Sequence, residues 1–82
     1  MQVHVLYFAA VRDVTKLDEE KLELPASVTT IRDFGTFLAE RYPALAPQLR
    51  SIRFAKNEVF ANSNERLADG DLLAVIPPVA GG

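Results

Sequence analysis

Apolar and polar side chains alternate weakly in the first stretch of the chain. Residues 2–9 predict a strand with two faces, one carrying Val3, Val5 and Tyr7 and the other carrying His4, Leu6 and Phe8. Because both faces hold apolar side chains, we expect this strand in the interior of its sheet. A polar stretch from Arg12 to Glu20 follows, and a second short strand at 21–24 ends at Pro25.

The apolar period becomes helical between residues 27 and 42. Spacings of three and four place four side chains on one stripe: Ile31, Phe34, Leu38 and Tyr42. Thr30 followed by Asp33 resembles a capping box, and Pro43 ends the helix. Gly35 lies inside this helix, where glycine is unfavourable by about 1 kcal/mol relative to alanine, so we expect either a close packing contact there or a slightly weaker helix.

The remaining residues predict three strands. After a loop that holds Pro47, segments 51–56 and 58–61 have strand character with a turn near Asn57. A second turn at 67–71 contains an Asp-Gly pair and precedes the last strand, Leu72–Ile76. The Pro77-Pro78 pair cannot continue the ladder, which leaves residues 77–82 as an extended, flexible tail.

This order of elements predicts an α+β fold, with one main helix packed on a mixed sheet of about five strands. The 82 residues are enough for one hydrophobic core, and 49% of them are hydrophobic, so we expect a single domain over residues 1–82.

Composition excludes several classes of function. A net charge of −2 with dispersed basic residues argues against nucleic-acid binding, and the group Arg50, Arg53 and Lys56 is interpreted as a solvated strand edge. The chain has no cysteine and one histidine, His4, without a visible catalytic or metal-ligating partner. No signal peptide or membrane-spanning run is visible, which favours a cytoplasmic protein with no membrane partner. Nothing indicates an enzyme that acts alone.

The chain end is the chemically unusual feature. Gly81 and Gly82 follow a rigid Pro-Pro step, and an end without Cβ atoms can pass through a channel that any bulkier residue would block. The carboxylate of Gly82 is therefore a candidate substrate for a partner enzyme.

Two blocks of sequence now point to a family: VLYFAAVRD at residues 5–13 and LADGDLLAVIPPVAGG at residues 67–82. The chain resembles the small subunit of molybdopterin synthase, a sulfur carrier of molybdenum cofactor biosynthesis with the β-grasp fold of ubiquitin. The second block is the more specific, because the DGD turn, apolar strand, PPV step and terminal GG share the family's order and spacing.

The resemblance implies a two-stage chemistry at Gly82. An E1-like adenylyltransferase would use ATP and Mg²⁺ to form an acyl-adenylate there, and a sulfur donor would convert it to a thiocarboxylate. The large catalytic subunit would then receive the sulfur for a pterin precursor, in a heterotetramer of two small and two large subunits. This chain would bind no cofactor or metal itself.

The same resemblance places the partner interface on the sheet face opposite the helix. Alternation puts Leu6, Phe8, Leu72, Ala74 and Ile76 on that face. The family match adds Phe60, with Arg12 as a polar rim contact, and includes Pro77, Pro78 and Val79 from the chain end. The alternative is that these side chains lie under a loop of the same domain.

Two other functions stay open at this point. One is a sulfur carrier for another pathway, of the thiamine type or a ubiquitin-related modifier. The other is a β-grasp interaction module that uses only its sheet face.

Overall fold

A computed structural model of the protein describes residues 1–78. Eight elements follow one another along the chain: β1 (Gln2–Tyr7), α1 (Ala9–Thr15), β2 (Glu19–Glu23), α2 (Ile31–Arg41), a 3₁₀ helix (Pro43–Ser51), β3 (Arg53–Lys56), β4 (Val59–Ala61) and β5 (Leu72–Ile76).

The five strands form one mixed sheet in the order β2-β1-β5-β3-β4. β1 pairs antiparallel with β2 and parallel with β5, which confirms that the first strand lies inside the sheet. β3 pairs antiparallel with both β5 and β4. β2 and β4 are therefore the two edges of the sheet.

The hydrophobic core lies between α2 and one face of this sheet. α2 contributes Ile31, Phe34 and Leu38, as the apolar stripe predicts. The sheet contributes the buried side chains Val3, Val5, Tyr7, Leu22, Leu73 and Val75. Each removes apolar surface from water, a gain of about 25 cal/mol per Å².

The capping box at the start of α2 is confirmed. The Asp33 backbone N–H donates to Thr30 Oγ1 at 3.2 Å, and the Thr30 N–H donates back to Asp33 Oδ2 at 3.2 Å. Hydrogen bonds from the backbone and hydroxyl of Thr29 and from Thr30 hold the pKa of Asp33 below its ordinary value. The helix therefore begins at a position that a local sequence signal defines.

The predicted turn at 67–71 is also confirmed, and its second aspartate is structural. Asp71 is buried, and its carboxylate accepts from the Ala68 N–H at 2.7 Å and from Asn57 Nδ2 at 3.0 Å. Asn57 Oδ1 in turn accepts from the Leu72 N–H at 2.9 Å. Gly70 has φ +86°, a conformation that side chains rarely adopt. The turn thus ties the β3–β4 hairpin to the start of β5.

Two helices were not predicted. Residues 9–15 form α1, where we expected the last strand residue and the start of a polar stretch, and the segment around Pro47 is a 3₁₀ helix and not a loop. α1 has seven residues and no side-chain cap at its start, so it leaves almost no local signal. Both helices are short enough to depend on tertiary packing for their stability.

Gly35 is buried against the 3₁₀ helix and β3. A Cβ atom at this position would lie 3.5 Å from Leu49 Cδ1 and 3.5 Å from Phe54 Cζ, which is ordinary van der Waals contact. The expected packing contact is present, yet it leaves room for alanine. Packing within residues 1–78 therefore does not require glycine here.

Candidate functional site: the outer sheet face and the chain end

The face of the sheet opposite α2 is partly exposed along its two central strands. Leu6 of β1 pairs with Ala74 of β5, and both side chains are only partly buried, as are those of Leu72 and Ile76. Their neighbours Val5 and Val75 point into the core. The alternation predicted from the sequence therefore assigns the two faces correctly.

Two phenylalanines stand at the ends of this face. Phe8 is 45% exposed and Phe60 is 57% exposed. Phe8 follows the end of β1, and its N–H donates to the Val75 carbonyl at 3.3 Å, which keeps it beside β5. Phe60 lies on the edge strand, opposite Ala55 of β3. Neither phenylalanine is covered by a loop of the described chain, which removes that alternative for both.

Between these rings lies a shallow groove of about 280 Å³, here called the outer groove. Its lining residues are Leu6, Phe8, Ala55, Glu58, Phe60, Leu72, Ala74 and Ile76. Glu58 is the one charged residue among them. Contiguous exposed apolar surface of this kind marks a protein or ligand contact, because single exposed apolar side chains are common but groups of them are not.

The fold separates Lys56 from Arg50 and Arg53, which both line a cleft beside α2. The guanidinium of Arg53 lies over the Phe60 ring, 4.3 Å from its centre, while Lys56 Nζ lies 3.2 Å from Glu65 Oε2. Arg50 lies in the 3₁₀ helix. Arg53 thus borders the outer groove, a role that sequence analysis missed because it depends on strand register. The alternation of side chains along β3 was the sequence signal that could have placed Arg53 on this face.

Arg12 lies near the other end of the groove, in α1. Its Nη1 atom is 3.3 Å from Asp18 Oδ1, and both side chains are well exposed. An exposed pair of this kind contributes little stability, so the guanidinium can exchange its partner at small cost.

The chain leaves the sheet at the edge of the same groove. Ile76 is the last residue of β5 and pairs with Arg53 of β3. Pro77 is buried by its own chain, so it offers a partner little surface, whereas Pro78 is exposed. Three predicted positions lie outside the described residues: Val79, Gly81 and Gly82. The predicted tail conformation therefore lies outside them too.

One partly buried polar network was not predicted. Glu20 of β2 accepts at Oε2 from the hydroxyls of Tyr7 at 2.7 Å and Tyr42 at 2.8 Å, and at Oε1 from Arg41 Nη2 at 2.6 Å. Burial disfavours its charge, but these three donors outweigh burial and hold the pKa of Glu20 below its ordinary value. Burial and the hydrogen bond to Glu20 raise the pKa of Tyr7. The network joins the sheet to the end of α2.

Catalytic chemistry has little support in the described part of the chain. His4 Nε2 lies 3.1 Å from Glu19 Oε1 on the surface, without a third group that would form a triad. Within residues 1–78, no group of three or more possible metal ligands comes together, and no helix is long and apolar enough to cross a membrane. The outer groove remains the best-supported site.

Comparison with known proteins decides the family. The model of the ThiS family matches residues 5–82. The chain belongs to the ThiS family.

Three curated relatives carry the same name and match nearly the whole chain. The molybdopterin synthase sulfur carrier subunit of Chlamydomonas reinhardtii is 37% identical over 84 residues and covers 100% of both chains. The protein of the same name from Mycobacterium tuberculosis is 36% identical and covers 100% of this chain and 99% of its own. The human protein of that name is 32% identical, over 99% of this chain and 94% of its own.

Solved structures confirm the ubiquitin-like β-grasp fold. A putative molybdopterin converting factor subunit 1 from Pyrococcus furiosus superposes with a TM-score of 0.83 at 30% identity, covering 95% of this chain and 98% of its own. Urm1 from Trypanosoma brucei has a TM-score of 0.73 at 18% identity, covering 99% of this chain and 95% of its own, and supports the fold alone.

Proposed function

We propose that this ThiS-family protein is the sulfur carrier subunit of a molybdopterin synthase. The observation that carries the proposal is the end-to-end match to relatives of that name, at 37% and 36% identity. The outer groove supports it independently, because a carrier must dock and the groove is an apolar surface without another occupant in the described chain.

The group that carries sulfur is the carboxylate of Gly82. A carboxylate is a poor electrophile, so one of its oxygens first attacks the α-phosphorus of ATP, which releases pyrophosphate and leaves an acyl-adenylate. Hydrosulfide from a sulfur donor then attacks the carbonyl carbon and displaces AMP, and loss of its proton leaves a thiocarboxylate. ATP and Mg²⁺ belong to an E1-like activating enzyme, and Gly81 leaves the reacting carbon unhindered.

The catalytic groups come from a large subunit, and two copies of that subunit form a heterotetramer with two copies of this chain. The outer groove docks on that subunit through Leu6, Phe8, Phe60 and Ile76, and Arg12 and Arg53 supply positive charge at its rim. Aromatic and aliphatic anchors at the centre of such a surface contribute most of the affinity. Pro78 and Val79 then lead the chain end from the docked sheet toward the catalytic site.

Intact mass tests the proposal directly. Protein isolated from its own cells should contain a fraction about 16 Da heavier, the difference between sulfur and oxygen in one carboxyl group. Deletion of Gly82 should remove this fraction while binding to the large subunit persists. A Gly82-deleted protein that still supports synthesis of the dithiolene would contradict the proposal.

A modifier function is the second candidate, because small archaeal modifier protein 1 from Haloferax volcanii superposes with a TM-score of 0.80 at 26% identity. In that case Gly82 would be joined to lysine side chains of other proteins. Digestion of total cell protein followed by mass spectrometry distinguishes the two, since a modifier leaves a chain-end remnant on lysine and a dedicated sulfur carrier does not.

A further inference from the structure

A second cleft lies on the opposite side of the molecule from the outer groove. It has a volume of about 490 Å³ and is enclosed by α2, the 3₁₀ helix and the β3–β4 edge of the sheet. Its main lining residues are Ile31, Arg32, Gly35, Leu49, Arg50 and Phe54. It shares no lining residue with the outer groove, and the side chain of Arg53, which lines it, meets that groove at the Phe60 ring.

Gly35 indicates that space in this cleft is used. Glycine weakens the interior of a helix, and nothing in residues 1–78 requires it here, since a Cβ atom would make only ordinary contacts with Leu49 and Phe54. A missing side chain at the cleft wall lets an incoming group approach the backbone of α2 and the Phe54 ring more closely. The space beside Gly35 is thus open to an occupant of the cleft.

The charge of the cleft defines that occupant. Three arginines line it: Arg32, Arg50 and Arg53. The guanidinium of Arg53 lies over the Phe60 ring, whereas neither Arg32 nor Arg50 forms an ion pair with another residue of the described chain. No aspartate or glutamate lines the cleft, although the whole chain carries a net charge of −2. An apolar cavity with two uncommitted arginines complements a ligand that combines aliphatic and carboxylate groups.

The neighbouring edge strand favours an extended chain over a small molecule. β4 is the last strand of the sheet and pairs only with β3, and Ala61 at its end lines the cleft with Ser63. In an antiparallel pair, alternate residues direct their N–H and C=O groups away from the partner strand, where an added peptide can bind them.

We propose that this cleft binds an acidic peptide segment of a second protein partner. An aliphatic side chain of the segment occupies the space beside Gly35, and flanking carboxylates pair with Arg32 and Arg50. The site requires neither Gly82 nor the outer groove, so it can recruit a further protein while the carrier is docked on its large subunit.

Titration of the ¹⁵N-labelled full chain tests this site. The probe is a seven-residue peptide with three central leucines and two aspartates at each end, with a lysine-for-aspartate peptide as its control. We expect amide shifts at Gly35, Leu49 and Ala61, with little change at Leu6 and Ala74. The Kd should be on the order of 100 µM, as expected for a short peptide motif. The lysine peptide should not bind.

Two substitutions separate the cleft from general charge effects. Arg50→Glu should weaken binding by at least about tenfold. Lys21→Glu makes the same charge change on the opposite edge strand and should leave the Kd within about twofold. Gly35→Ala should weaken binding while the chain stays folded, since its Cβ has room.

Four results would overturn the proposal. The first is that millimolar peptide causes no amide shifts, and the second is that the shifts are confined to the outer groove. The third is that the lysine peptide, or octanoate added as a small amphipathic probe, binds as tightly as the aspartate peptide. That result would assign the cleft to nonspecific or small amphipathic ligands. The fourth is a set of concentration-dependent shifts at Gly35 without peptide, which would make a second copy of the chain the occupant. Because none of these readouts involves sulfur loading, they fail or succeed independently of the carrier function.

Discussion

The guanidinium carbon of Arg53 lies 4.3 Å from the centre of the Phe60 ring. Arg53 is also the register partner of Ile76, the last residue before the Pro-Pro step. A cation over an exposed aromatic ring contributes about 0.5 to 1 kcal/mol, enough to favour one orientation of the ring. The most exposed anchor of the outer groove is therefore held in place beside the point where the chain end leaves the sheet.

The first prediction concerns Phe60. Phe60→Asp should weaken binding to the large subunit by at least about 30-fold, roughly 2 kcal/mol, because it replaces an apolar anchor of the docking surface with a charge. Stability should change by less than about 1 kcal/mol, because the ring is mostly exposed and the contact that it loses is the one with Arg53. Isothermal titration calorimetry measures the binding and urea unfolding measures the stability.

Leu17→Asp is the matched control for this change. Leu17 is 41% exposed, similar in size, and lies outside the outer groove. It should leave the Kd within about twofold. Equal losses of affinity in both variants would show that added negative charge, and not the groove, governs docking.

The second prediction concerns the chain end. Gly81→Val, or one residue added after Gly82, should abolish thiocarboxylate formation, because a branched side chain or a displaced carboxylate cannot reach the activating site in the same geometry. The core is built from residues between Val3 and Val75, so unfolding free energy should change by less than about 0.5 kcal/mol. Mass spectrometry after incubation with the activating enzyme measures the fraction of thiocarboxylated protein. Loading of either variant at the normal rate would refute the role of Gly82.

The third prediction concerns the Glu20 network. Glu20→Gln should lower the unfolding free energy at pH 7 by about 1 to 3 kcal/mol, because the charged acceptor of three hydrogen bonds is lost. The low pKa of Glu20 means that its stabilisation is present above the unfolded-state pKa near 4 and is lost as the pH falls through the folded-state value. Urea unfolding at several pH values should therefore show the two proteins converging under acid conditions.

At alkaline pH, Tyr7 determines how the unfolding free energy changes with pH. Its pKa is raised in the folded chain, so stability should fall above about pH 10, where the unfolded tyrosine ionises and the folded one does not. Tyr7→Phe should reduce this alkaline slope.

The acid-pH comparison can also contradict the role given to Glu20. A difference in unfolding free energy between wild type and Glu20→Gln that stays constant from neutral to acid pH would contradict the assignment of the network.

The fourth prediction concerns the Asp-Gly-Asp turn. Asp71→Ala should destabilise the protein by about 2 kcal/mol, because it leaves the Ala68 N–H and the Asn57 amide without their buried acceptor. Asp69→Ala is the control. Asp69 accepts one exposed hydrogen bond, from the Gln2 N–H at 2.7 Å, so the loss should be about 0.5 to 1 kcal/mol. Thermal or urea unfolding measures both, and equal losses would contradict the structural role given to Asp71.

Local patterns were enough to predict much of this fold. Alternation in β1 and β5 assigned the inner and outer faces, the spacing from Ile31 to Leu38 located α2, and Thr30 with Asp33 marked its start. These signals work because strand and helix periods, caps and turns involve residues a few positions apart. The resemblance carried by the DGD turn, the PPV step and the terminal glycines supplied the proposed chemistry, which local patterns alone could not.

The remaining features depend on residues that only the folded chain brings together. Tyr42 is 22 positions from Glu20, and Phe60 meets Arg53 through the register of a hairpin. The cleft beside Gly35 needs α2, the 3₁₀ helix and the sheet edge at once. The sequence by itself thus determined the elements with strong periodicity and the two faces of the sheet. The tertiary structure decided the short helices, the partly buried polar network and the second cleft, because their stability comes from contacts that are distant along the chain.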